Sequence, residues 1–116
     1  MGIFPGREAD INPYLADMRL KVCPDDQIRE GGVKTLKILA RTVAVFRLGG
    51  QLYGLEADCK HMRASIAHGT IDGDVITCPA HGWRYNIKSG ECLNESWATL
   101  KTYPVEVVDG VVWVEI

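Results

Sequence analysis

Two short segments of the chain each combine one cysteine with one histidine. The first pairs Cys59 with His61, the second pairs Cys78 with His81, and sixteen residues (62–77) separate them. On both sides of these segments apolar and polar residues alternate, which is the pattern of β-strands. Rigid strands that end in two ligand-bearing loops can hold four donor atoms in one place near the surface. The chain is therefore expected to build a β-scaffold around a metal site.

Short strands with turns between them are predicted along most of the sequence. Turn signals occur at Gly49-Gly50 and at Asp109-Gly110, where each pair of residues separates two apolar runs. One weak helical stretch is predicted at 13–18. The pattern indicates an all-β fold, a small sandwich or barrel of antiparallel strands. The predicted strands are 18–22, 35–39, 42–48, 51–55, 70–77 (with a turn at 73–74), 83–87, 102–108 and 111–115.

Length and composition place the chain among globular proteins of one domain. Its 116 residues are 47% hydrophobic and 24% charged, which is sufficient to form a core without disulfides. A single domain spanning 1–116 is expected, with the metal-binding segment at about 57–90. The longest apolar runs, 43–46 and 111–114, are far shorter than the roughly 20 residues needed to cross a bilayer.

Charge and the first residues of the chain indicate where the protein acts. The net charge is −2, and no basic stripe of the kind found in nucleic-acid binders is present. Residues 1–8 lack the basic start and the apolar stretch of a secretory signal. We therefore expect a cytoplasmic protein with no membrane span and no nucleic-acid partner. Because cysteines stay reduced in that compartment, Cys23 and Cys92, which belong to neither segment, are expected to be small buried side chains.

The donor types of the two segments do not identify the metal. Thiolate and imidazole together suit zinc, copper or an iron–sulfur cluster. A zinc finger with two cysteines and two histidines normally has the cysteines on one element and the histidines on another, whereas here each segment contributes one of each. Two loops closing on a [2Fe–2S] rhomb would give both cysteines to one iron and both histidines to the other. The mixed order favours the cluster and leaves a zinc site as the alternative.

The spacing Cys-x-His, sixteen residues, Cys-x2-His resembles that of the Rieske family. Residues 69–93 are similar to the second half of the site in Rieske ferredoxins and ring-hydroxylating oxygenases, and 103–110 resembles the family's ending. The resemblance covers roughly 18–116 and implies a small Rieske-like β-sandwich or barrel with a cluster-binding subdomain formed by two loops. The implied ligands are Cys59 and Cys78 for the inner iron, and His61 and His81 for the outer iron.

Residues around the expected cluster differ from some members of the family. Ala64 and Ala80 stand where Rieske proteins of cytochrome bc complexes have the cysteines of a disulfide, so no such bridge is possible here. Trp83 replaces a serine that donates to a cluster sulfide in those proteins, whereas Tyr85 matches a tyrosine that donates to a cysteine sulfur. Because such hydrogen bonds stabilise the added electron, losing one implies a potential in the lower part of the Rieske range. Trp97 lies in the loop that covers the cluster in relatives and is a candidate lid.

The resemblance implies an electron carrier without a catalytic site of its own. Four protein ligands leave no open metal position, and the one further histidine, His68, cannot form the mononuclear iron site of an oxygenase. The expected partners are a flavoprotein reductase as donor and a terminal oxygenase or another redox enzyme as acceptor. Lys60 and Arg63 are expected to steer an acidic partner. Two alternatives are a small subunit of a larger redox enzyme, such as NAD(P)H nitrite reductase, and a zinc-stabilised interaction module.

Overall fold

The computed structural model of the protein describes residues 19–38, 41–60, 64–80 and 82–116. These ranges contain ten β-strands, all paired antiparallel, and three 3₁₀ turns. The predicted all-β fold is confirmed. No helix in the described ranges is long and apolar enough to cross a membrane. The strands are β1 (Arg19–Pro24), β2 (Val33–Ile38), β3 (Arg41–Leu48), β4 (Gln51–Glu56), β5 (Thr70–Asp72), β6 (Val75–Thr77), β7 (Arg84–Asn86), β8 (Thr102–Tyr103), β9 (Val105–Val108) and β10 (Val111–Glu115).

The strands form three sheets. Their orders are β1-β10-β9, β2-β3-β4-β8 and β5-β6-β7. Each of the first two sheets combines strands that precede β5 with strands that follow β7, whereas the small third sheet is formed by the consecutive strands β5, β6 and β7. Both cysteines of the predicted site belong to this middle part, because one lies between β4 and β5 and the other directly after β6.

Strand β3 separates two hydrophobic cores. Its residues Val43, Ala44, Val45 and Phe46 are all fully buried, because β3 lies between β2 and β4 and both of its faces are covered. Alternate side chains point to opposite faces of a strand. Val43 and Val45 accordingly join the core under the first sheet, whereas Ala44 and Phe46 join the core that contains the predicted cysteine ligands.

The single strand predicted at 102–108 is wrong, because Pro104 divides it. The preceding residues form β8, which pairs with β4, and the following ones form β9, which pairs with β10. Proline has no backbone N–H to give to a ladder, so it marks the point where the chain leaves one sheet for another. The Pro104 carbonyl still accepts from the amide of Glu115, at 2.9 Å.

The other predicted strands and turns correspond to observed elements with shifted ends. Asp109 and Gly110 turn β9 into β10 with φ values of 51° and 77°, which aspartate and glycine tolerate best. The predicted segment 70–77 is the β5–β6 hairpin. Strand β1 continues to Pro24 and β2 begins at Val33. The predicted helical stretch 13–18 and residue 39 lie outside the described residues.

Candidate metal centre

The first cysteine of the predicted site is held in a short, tightly bonded loop after β4. The amide of Cys59 donates to the carbonyl of Ala64 at 2.8 Å, and the amide of Ile66 donates to the carbonyl of Ala57 at 2.7 Å. Asp58 and Ser65 add an antiparallel bridge between the two limbs of the loop. The Cys59 side chain is fully buried. Backbone hydrogen bonds on both sides therefore fix the direction of this thiol.

The second cysteine directly follows β6. The Cys78 amide donates to the carbonyl of Trp83 at 2.7 Å, and the Cys78 carbonyl accepts from the amide of Gly82 at 3.0 Å. Gly82 has a φ of 83°, a left-handed conformation that is costly for residues with a Cβ. The loop thus closes on itself, and the Cys78 side chain keeps only 1% exposure.

The two loops bring both thiols into one buried environment. Cys59 and Cys78 belong to the same hydrophobic cluster, together with Ile66, Ile76 and Tyr85, and neither forms a disulfide. Thiol donors suit zinc, copper(I) and iron–sulfur clusters. Buried thiols whose backbone is held by hydrogen bonds fit the inner half of a two-loop cluster site.

The histidines of the prediction, His61 and His81, lie outside the described residues, as does Arg63. Among the described residues no group of three or more histidine, cysteine or carboxylate side chains could hold a metal ion. Two of the four predicted ligands are thus placed by the structure, and the complete set stays a prediction.

Tyr85, at the centre of β7, places its hydroxyl beside the first cysteine. The oxygen lies 3.2 Å from Cys59 Sγ and 3.2 Å from the amide nitrogen of Lys60. The amide can only donate, so the hydroxyl accepts there and its single proton is available to the sulfur. Burial, followed by the contact with Cys59, raises the pKa of Tyr85 well above its ordinary value. The hydroxyl therefore keeps its proton, and the expected role as a donor to sulfur stays a prediction.

Two contacts of Tyr85 were not predicted from the sequence. One is the amide of Lys60, which donates to the Tyr85 hydroxyl, and the other is Cys92, which forms an isolated antiparallel β-bridge with Tyr85. Lys60 lies 25 residues before Tyr85, inside the first cysteine–histidine segment, and Cys92 lies seven residues after it. The sequence carries no signal that pairs either residue with Tyr85. Cys92 and Cys23 are 8% and 5% exposed, which confirms that both are small buried side chains.

Trp83 and Trp97 form an aromatic pair beside the second loop. Their ring centroids are 5.7 Å apart and the planes meet at 70°, an edge-to-face arrangement. Trp83 is half-buried against the core of the site, whereas Trp97 is 65% exposed. The side chain predicted to be a lid therefore presents most of its surface outward.

Lys60, directly after the first cysteine, is paired with a carboxylate. Lys60 Nζ lies 3.2 Å from Glu56 Oε1, and this oxygen also accepts from the amide of Lys101 at 3.1 Å. The ion pair reduces the steering field expected from Lys60. His68 is exposed at the end of a 3₁₀ turn, as expected for a residue outside the ligand set.

The chain is similar to proteins of a known family. The model of the Rieske [2Fe–2S] domain family matches residues 18–104. Ferredoxin CarAc of Metapseudomonas resinovorans is 38% identical over 97 residues, which cover 82% of this chain and 91% of that protein. The ferredoxin component of the naphthalene 1,2-dioxygenase/salicylate 5-hydroxylase systems of a Ralstonia species is 33% identical over 86 residues, covering 73% of this chain and 82% of its own length.

A solved structure has the same fold. It is the complex of reduced oxygenase and oxidized ferredoxin in carbazole 1,9a-dioxygenase, and the matched chain superposes with a TM-score of 0.77 at 37% sequence identity. The match covers 85% of this chain and 94% of that chain.

Proposed function

Because this chain belongs to the Rieske [2Fe–2S] domain family, we propose that it carries single electrons from a flavoprotein reductase to a terminal oxygenase. One observation carries the proposal: a 37% identical chain, matched over 94% of its length, was solved in a complex of ferredoxin with oxygenase. Relatives named as ferredoxin components of dioxygenase systems support it further. We propose that the partners of this chain belong to the same classes of protein as the partners in those systems.

The ligands proposed for the cluster are Cys59 and Cys78 for one iron and His61 and His81 for the other. Support comes from the two buried thiols, which two backbone-bonded loops present in the same hydrophobic cluster. When bound, the [2Fe–2S] cluster supplies reversible one-electron chemistry, and neutral imidazole ligands raise its potential above that of all-cysteine clusters.

The protein's own residues limit water access and stabilise negative charge at the sulfur. The apolar side chains of Ile66 and Ile76 are fully buried around the thiols, so few water dipoles compete with the protein there. The hydroxyl of Tyr85 lies 3.2 Å from Cys59 Sγ. In this proposal it donates its proton to the sulfur, and the bond strengthens as electron density on the sulfur rises. These residues set the potential, and we assign the chain no catalytic site of its own.

The proposed site occupies about 57–90 of a single domain spanning 1–116. A cytoplasmic location is part of the same proposal.

Electron paramagnetic resonance of the anaerobically prepared, dithionite-reduced protein tests the ligand assignment. We expect a rhombic signal whose average g value lies below that of all-cysteine clusters. Cys59→Ser and Cys78→Ser should each abolish that signal and lower the bound iron. Cys23→Ala is the matched control, because this buried cysteine belongs to the other core, and it should keep the signal. A colourless protein that contains zinc would contradict the assignment.

Electron delivery to separate oxygenases tests the proposed partner class. The reduced protein is mixed anaerobically with the oxygenase components of the carbazole, naphthalene and 3-phenylpropionate dioxygenase systems, whose ferredoxins resemble this chain. We expect its absorbance to return to the oxidised form with at least one of them. Failure with all three would contradict delivery to a terminal oxygenase.

A further inference from the structure

Trp97 is unusually exposed for its residue type. Its exposure is 65%, the highest among the described large hydrophobic side chains that face the solvent, which also include Leu93 at 48% and Val107 at 45%. An indole exposed to this extent leaves a large apolar area in water. Tryptophan is also among the residues enriched at the energetic centres of protein interfaces.

The backbone holds Trp97 in this outward position. On one side of it, the Leu93 amide donates to the carbonyl of Arg84, and Asn94 Oδ1 accepts from the Arg84 amide, both at 2.8 Å. On the other side, Ala98 is fully buried and its amide donates to the carbonyl of Glu95 at 3.1 Å. The loop is attached at both ends, so its backbone loses little conformational freedom when a partner binds.

The exposed ring lies next to the second ligand loop. Trp97 packs edge-to-face on Trp83, whose carbonyl accepts the amide hydrogen bond of Cys78. The neighbouring loop residues Pro79, Ala80 and Gly82 are exposed and uncharged, and the exposed Arg84 and Glu95 beside the two tryptophans carry opposite charges. This face therefore fits an apolar protein surface better than a charged polymer.

We propose that Trp97 is the anchor by which the electron-accepting oxygenase docks on this protein. The inference rests on the proposed function, because a partner that receives an electron from the cluster must cover the face formed by the ligand loops. The oxygenase is chosen as occupant because the ferredoxin chain of 37% identity occurs in a complex with its oxygenase. The proposed interface then runs from Pro79 and Ala80 of the second ligand loop over Trp83 to Trp97.

Trp97→Ala in the holoprotein, assayed with the oxygenase that accepts electrons from the unsubstituted protein, tests the proposal. With this protein as the varied substrate, KM for oxygenase turnover should rise about 10- to 30-fold, the effect of losing an interface hot spot. The kcat, the midpoint potential and the resonance spectrum should stay unchanged. Trp97→Phe should recover most of the affinity. Val107→Ala, a similarly exposed apolar residue on the remote strand β9, should leave KM unchanged.

Three results would overturn the proposal. An unchanged KM in Trp97→Ala would show that the indole contributes nothing to docking. A changed potential with unchanged KM would make Trp97 a cover of the cluster instead. A raised KM for the reductase alone would assign the contact to the electron donor. If the unsubstituted protein reduces none of the three oxygenases, the proposed function itself fails, which is distinguishable because that outcome precedes any substitution.

Discussion

Replacing Tyr85 by phenylalanine should lower the midpoint potential of the cluster. The substitution keeps the ring in its buried position and removes the hydroxyl that lies 3.2 Å from Cys59 Sγ. Reduction adds negative charge to the cluster and its sulfur ligands, so the lost hydrogen bond stabilises the reduced state more than the oxidised one.

The size of this effect follows from the strength of the bond. Hydrogen bonds to charged groups contribute about 1.5–3 kcal/mol, and only the difference between the two oxidation states changes the potential. With a difference of about 1 kcal/mol, and 59 mV for each tenfold change in a one-electron equilibrium, the midpoint should fall by about 40 mV. The Lys60 amide also loses its acceptor, so unfolding should become easier by about 1 kcal/mol.

Protein-film voltammetry at neutral pH measures the potential. The control is Tyr103→Phe, because Tyr103 is also buried, at 5% exposure, but belongs to the other core and its oxygen accepts from Arg41 at 3.4 Å. That variant should keep the potential of the unsubstituted protein. A Tyr85→Phe midpoint equal to that of the unsubstituted protein, or above it, would refute the assignment of the hydroxyl proton to the sulfur.

Three further predictions concern stability and reactivity. Gly90→Ala should destabilise the fold by at least about 2 kcal/mol in urea unfolding, because φ is 82° and the new Cβ would lie 2.1 Å from the Leu100 carbonyl oxygen. The control is Gly110→Ala, which has a similar φ but open space around the new Cβ and should lose less stability. Equal losses in the two variants would contradict the clash. Hydrogen bonds from the two amides of the β3–β4 turn lower the pKa of Glu30 from its ordinary value of 4.5, so its carboxylate stabilises the fold above that pH and loses the effect as pH falls through the lower folded value. Glu30→Gln should therefore lower the urea midpoint of unfolding at pH 7. The difference in midpoint between this variant and the unsubstituted protein should disappear in acid, and a difference that does not change with pH would contradict the prediction. Burial raises the pKa of the Cys23 thiol, so iodoacetamide at neutral pH should modify this thiol in the unfolded chain but hardly in the native protein. Mass spectrometry measures the two modification rates, and equal rates would contradict the burial of Cys23.

Much of the fold was predictable because strand signals are local. The β5–β6 hairpin and the β9–β10 turn at Asp109-Gly110 both appear where alternation and turn residues predict them. The division at Pro104 was missed because its surroundings continue the strand pattern on both sides. Which sheet each half joins depends on partners from distant parts of the chain, and such partners leave no periodic signal.

The sequence by itself determined the chemical class of the site. Two segments each pair a cysteine with a histidine, and both lie between predicted strands. Ligand types and their spacing are properties of the amino-acid sequence, so this pattern limits the site to a small set of metal centres. The family and its cluster follow from that pattern and its neighbouring residues.

Only the tertiary structure decided which side chains meet at the site. Tyr85 is 26 residues from Cys59, and the two come into contact through the pairing of β6 with β7 and the folding of two loops. Trp97 likewise reaches Trp83 because the chain after β7 is bonded back to that strand. Contacts of this kind depend on packing and on backbone hydrogen bonds between distant segments, which a local pattern does not encode.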